Sequence, residues 1–217
     1  GASTITSGRL EIGGANNPFV VNGPGSLTVS GSGILELNGS LGFSPQVTGT
    51  GSATYLAGGV LQFTYAWTGT VNFQTLPATM NGDVDIQDGT PQLGGLRTLT
   101  GGINVVVGSL IVNSGVTLRL AGSSPITTTG GNRIDATALN STIMIQRPNV
   151  DATWFTSNGA YNLTIAASST LTNPLSIANQ LTLSNGIFTT SNPTNTLTIV
   201  NAAIPGAVVG GSPTAFI

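Results

Sequence analysis

Three carboxylates fall within six residues in the segment Asn81-Gly-Asp-Val-Asp-Ile-Gln-Asp-Gly89. If it is a strand, side-chain alternation puts Asp83 and Asp85 on one face, with Asp88 in the turn that follows. Such an oxygen-rich set is the kind Ca²⁺ takes. The spacing departs from an EF-hand loop, because Gln87 stands at a ligand position and no Glu follows at the required distance. A solvated strand face closed by an Asp-Gly turn is the favoured reading, and neither a metal nor a cofactor is expected. A second set is aromatic. Phe63, Tyr65 and Trp67 alternate, so a strand over Val60 to Trp67 would bring all three rings to one face. Exposed in a row, they would form a strip for stacking on sugar rings; buried, they would be core or subunit interface. The buried reading is favoured, since large aromatic side chains are mostly buried.

Acid–base and nucleophilic chemistry has little to work with. The chain has no His, Cys or Lys, which removes the commonest general bases and activated nucleophiles and leaves carboxylate pairs or Arg. Paired carboxylates serve glycosidases, but Asp83 and Asp85 are the one close pair, while Glu11, Glu36, Asp135 and Asp151 are scattered. The chain is therefore expected not to be an enzyme. Asn38-Gly-Ser40, Asn140-Ser-Thr142 and Asn162-Leu-Thr164 match the N-glycosylation acceptor pattern, as chance predicts in a sequence so rich in Asn, Ser and Thr.

Composition narrows the partners. Five Arg and seven carboxylates among 217 residues give a net charge of −2, which cannot build the basic stripe that binding to a phosphate backbone requires. The longest apolar runs, such as Ile103 to Val112, are interrupted by Asn104, Gly108 and Ser109 and fall short of the ~20 residues a membrane helix needs. Neither nucleic acid nor membrane insertion is expected. The start carries no Met and no signal-like block, and reads as a mature product or, preferably, a piece of a longer protein. So few titratable groups predict a fold indifferent to pH.

The elements that would position these residues are all β. Short alternating runs recur from Ile5 to Ile199, with β-branched residues and 31 Gly between them and no sustained helical period. Asn-Gly pairs at 22–23, 38–39, 81–82, 158–159 and 185–186, together with Asp88-Gly89, offer the positive φ that tight turns demand. By themselves they would favour antiparallel hairpins. Self-similarity argues otherwise: Gly25 to Ser40 recurs without a gap as Gly108 to Ser123, keeping the apolar pairs Leu27/Val29 and Leu35/Leu37 as Leu110/Val112 and Leu118/Leu120. A fixed offset is the mark of stacked coils. This one divides into four coils of about 21 residues, and the whole chain into about ten. Leu163-Thr-Ile165, Leu181-Thr-Leu183 and Leu197-Thr-Ile199 are expected to stack, their apolar residues inward and Thr outward. The fold expected is a parallel β-helix over residues 1–217 as one elongated domain, less regular and rich in aromatics at 41–92; the alternative is one or two antiparallel β-sandwiches.

The segment Leu163 to Ile187, followed by Leu197 to Ala203 and the tail Val208 to Ile217, resembles the repeat regions of large secreted, adhesin-like bacterial surface proteins. The resemblance implies a parallel β-helix outside a bacterium, used in attachment, surface coating or filament formation. A solenoid with uncapped terminal coils exposes unpaired backbone groups, so the partners expected are a second copy stacked head to tail or a longer parent chain. Surface glycans are the alternative partner, through the aromatic strip. Because the outward residues of the matched pair differ, Glu36 against Arg119 and Asn38 against Ala121, recognition is expected elsewhere, between Leu41 and Gln92 or at the open ends.

Overall fold

A computed structural model describes residues 1–13, 19–22, 25–39, 44–201, 207–211 and 215–216. Among them, every strand pairing is parallel. The chain winds as a β-solenoid, and the antiparallel sandwich does not form. The only helical piece among the described residues is a single 3₁₀ turn at Ala152–Trp154. Two large sheets, of seven and twelve strands, form the walls, joined by a four-stranded sheet toward the C-terminal end.

Each coil closes by burying the same side of its strands. In the seven-stranded sheet one inward ladder runs in register through Leu10, Leu35, Leu61, Val84, Ile103 and Ile126. The twelve-stranded sheet carries another through Leu99, Leu120, Ile145, Ile165 and Leu183. These rungs belong to one continuous apolar core that reaches from the first coils to Phe188. Alternation explains the sorting: Thr28, Ile111, Thr164 and Thr182 stand half-exposed between buried neighbours.

There are about eight turns rather than ten, because coil length varies with the corner loops. Val84 to Ile103 closes a turn in 19 residues, whereas Phe19 to Val47 takes 28. The matched segments are accordingly not stacked four whole coils apart. The register of Leu35, followed for four turns, arrives at Ile126, past Leu118. Ser26–Asn38 belongs to the seven-stranded sheet, but Ser109–Val112 and Thr117–Ala121 belong to the twelve-stranded one. The two copies share their inward apolar positions, but the first is one continuous strand bent at Gly31 and the second is two strands joined by a turn, and they belong to different sheets. Ser40, at the end of the first copy, lies outside the described residues.

A second correction concerns the C-terminal coils. Leu163 stacks on Leu181 as expected, and Leu181 then meets Val208, while Leu197 pairs with Leu175. The strand Leu175–Leu183 is long enough to take a different later strand on each half, both within the twelve-stranded sheet, so spacing alone does not show which half a later strand will meet. Of the surface-protein-like tail, residues 212–214 and 217 lie outside the described residues. In the aromatic-rich part, of which Leu41 and Phe43 are likewise outside, Asn72 to Ala78 turns inward and buries Thr75 and Leu76. There the Thr75 hydroxyl accepts from the Val47 N–H at 2.8 Å, and the Thr75 carbonyl accepts from the buried Tyr55 hydroxyl at 2.9 Å.

Turn chemistry departs from expectation too. Gly89 and Gly186 take positive φ, but at Asn158-Gly159 it is Asn158 that does so, and Gly39 and Gly82 do not. Crowding is what selects glycine at position 39, where a Cβ would come within 2.6 Å of the Trp67 Cα.

Candidate functional site

The strip of three rings does not form. The strand Val60–Thr64 stops before Tyr65, and Tyr65 and Ala66 both adopt left-handed backbone, with φ of 54° and 55°. Two left-handed residues make a corner, which breaks the two-residue alternation that would have aligned the rings. Phe63 and Trp67 turn into the core, their ring centroids 4.9 Å apart in an edge-to-face contact, and the Trp67 indole N–H donates to the Pro45 carbonyl at 3.0 Å. Tyr65 alone points out, 60% exposed.

Asp83 and Asp85 do share an outward face, and both are engaged. The Asp83 carboxylate accepts from the Gly102 N–H at 2.5 Å. Asp85 accepts from the side-chain amides of Gln62, Gln87 and Asn104, at 2.6 to 2.9 Å. Among the described residues no three acidic side chains gather as a cation site. Asp83 and Asp85 hold neighbouring coils together instead.

Asp85 is one rung of a longer row. The outward residues between the inward ladders of the seven-stranded sheet are Glu11, Glu36, Gln62, Asp85, Asn104 and Thr127, each in register with the next. Hydrogen bonds tie the row across coils and to its sides. The Thr127 hydroxyl donates to Asn104, the Thr64 hydroxyl to Glu36, and the Asn38 amide to Glu11. Arg9 forms an ion pair with Glu36. Glu36 is 2% exposed and Gln62 7%, and among the described residues the Oε1 of Gln62 has no hydrogen-bond donor.

This wall concentrates charge. Glu11, Glu36, Asp83, Asp85 and Asp88 stand on it or at its rim, five of the seven carboxylates in the chain, with Arg9 as their one neighbouring cation. Two depressions flank the row. One, of about 370 Å³, is lined by Arg9, Glu36, Gln62, Thr64, Tyr65 and Asp88 among others. The other, of about 280 Å³, lies by Asp83, Asp85, Asn104 and Thr127.

Two arginines are buried without a carboxylate partner. Arg97 is fully buried, its guanidinium 3.7 Å from the Phe73 ring centre and donating to the carbonyls of Leu96 and Val71. Burial pushes its pKa down to about 10. Arg147 stacks on Trp154 at 4.7 Å and donates to the Ser124 carbonyl, and burial lowers its pKa as well. Both fit a role as corner clamps, each covered by an aromatic ring that attracts the cation. On the four-stranded side, Asp151 caps the 3₁₀ turn. Partial burial pushes its pKa up, and hydrogen bonds from Thr153, Asn173 and Thr172 more than reverse this, leaving it below the ordinary value.

The sequence alone points to Asp83, Asp85, Asp88 and Tyr65 but not to the row on which Asp85 stands. Its signal is present as a polar residue between two apolar ones in Leu10-Glu-Ile12, Leu35-Glu-Leu37, Leu61-Gln-Phe63, Val84-Asp-Ile86 and Ile103-Asn-Val105. Unequal coil lengths hide it from any fixed spacing. The chain matches no protein-family model, no curated protein and no solved structure.

Proposed function

We propose that the chain is a non-enzymatic structural protein, an extracellular β-solenoid segment of a bacterial surface adhesin or of a self-assembling surface filament. The observation that carries the reading is the free edge of Ala2–Ile12. This strand pairs over its whole length with Ser26–Asn38 on one side, and no described strand pairs with its other side. Its inward residues Ile5 and Leu10 pack on the core yet remain partly exposed. Eleven residues of edge with ladder positions half-covered are a template for one more coil of the same geometry. That coil is supplied by a second copy stacked head to tail or by more of a longer parent chain. The polar outer surface, built from hydroxyls and amides, suits a protein that works outside a cell.

Negative-stain microscopy of the purified chain at rising concentration tests assembly. About eight turns at ~4.8 Å each predict units near 40 Å long joined end to end. Leu10→Asp, which places a charge on the open rung, should leave single units. Wild-type particles that remain single at high concentration would count against the filament. Fractionation of the producing cell tests location, and recovery in the cytosol would remove the surface reading.

A further inference from the structure

The depression at Tyr65 combines features that the structural reading does not use. Tyr65 offers a ring more than half exposed, held by left-handed backbone on the corner after Thr64. Beneath and beside it lie an acid, an amide and a hydroxyl, Glu36, Gln62 and Thr64, each at least nine-tenths buried. Their neighbours fix them: Arg9 and Thr64 hold the Glu36 carboxylate, and Asp85 holds the Gln62 amide nitrogen. The Gln62 carbonyl oxygen has no donor among the described residues and is sealed from solvent beneath the depression. Asp88 on the rim adds an acceptor whose side chain faces solvent in part.

A rigid, internally hydrogen-bonded floor, polar side chains at the rim and an exposed aromatic platform suit a ligand with hydroxyl groups and an apolar ring face, which describes a sugar. The volume of about 370 Å³ falls within the size range of small-molecule sites. Charge decides which sugars. With five carboxylates on or beside this wall and one arginine already paired, acidic glycans are repelled. The neighbouring depression at Asp85, Asn104 and Thr127 is bordered also by Val60, Val84, Ile103 and Pro125, and the Gln62–Asp85 hydrogen bond lies between the two. We infer that the Tyr65 depression binds glycans lacking acidic groups, with Tyr65 stacking on a sugar ring and the partly exposed Asp88 and Gln87 on its rim taking its hydroxyls.

The inference stands apart from the filament reading, since a chain that never assembles can still bind sugar and a filament can form without it. The test is an array of neutral, amino-bearing and acidic oligosaccharides probed with the whole chain, followed by titration calorimetry with the best neutral binder. Expected are binding of neutral or amino-bearing glycans, none of acidic ones, and at least tenfold weaker binding in Tyr65→Ala. Tyr65→Asn is the second variant, because Asn tolerates left-handed backbone and keeps the corner. Asp88→Asn should weaken binding less, and Tyr161→Ala, on a strand of the other large sheet, should leave it unchanged. Absence of binding by wild type, preference for acidic glycans, or full affinity in a folded Tyr65→Asn would each overturn the proposal.

Discussion

The outward rows of the two large walls differ although their inward ladders are alike. On the seven-stranded wall, Gln62, Asp85, Asn104 and Thr127 form a hydrogen-bonded file, and Glu36, next in register, is held by Thr64 and Arg9 instead. On the twelve-stranded wall the corresponding file is Thr98, Arg119, Met144, Thr164 and Thr182, where Arg119 donates to the Met144 sulfur at 3.2 Å. Winding requires an apolar side chain inward and a β-tolerant one outward, and both files meet that requirement. The extra polar order of the first wall is therefore not a condition of folding, which is why that wall is where recognition is sought.

The comparison is sharpest where the walls should agree. Leu61→Ala and Leu118→Ala remove fully buried rungs from the two sheets, and each should cost about 2–5 kcal/mol in chemical denaturation. A large inequality between them would mean that one wall carries the fold. Next come the outward files. Asp85→Ala leaves three amides without an acceptor, a loss of about 1–3 kcal/mol, whereas Arg119→Ala should fall within about 0.5 kcal/mol. Equal effects would erase the distinction.

A smaller effect separates the aromatic-rich part from both files. Burial raises the Tyr55 phenol far above its ordinary range, so above pH ~10 the unfolded chain loses this proton while the folded chain keeps it. Stability from this group is complete below pH ~10 and falls as pH rises, by up to about 1.4 kcal/mol per pH unit. Tyr55→Phe should flatten that fall in denaturation measured between pH 9 and 11. An unchanged slope would place the alkaline transition elsewhere.

Alternation was legible in the sequence residue by residue. Leu27, Val29, Leu35 and Leu37 all point inward, as do their counterparts Leu110, Val112, Leu118 and Leu120. What was not legible is which strand each one meets, because pairing depends on corner lengths that range from the tight Gln87–Asp88 link to the long Asn72–Ala78 excursion. That limit explains both the misplaced partner of Leu197 and the hidden polar file. It also explains the aromatic strip, whose alternation held up to Thr64 and failed at a corner formed by two non-glycine residues that no turn signal announced.

The matched segments on different walls carry a consequence for how such a chain can grow. Sequence period and winding period run past each other like the two scales of a vernier, and the molecule accepts the mismatch because the same spacing of apolar residues fits any edge of the coil that offers an apolar interior, whether the piece bends within one strand or turns between two. Duplication need not supply whole turns to be tolerated. A graft of residues 109–121 into the place of 26–38 would be a transplant between edges, and its success would make the bend, rather than the turn of the helix, the interchangeable part of this architecture.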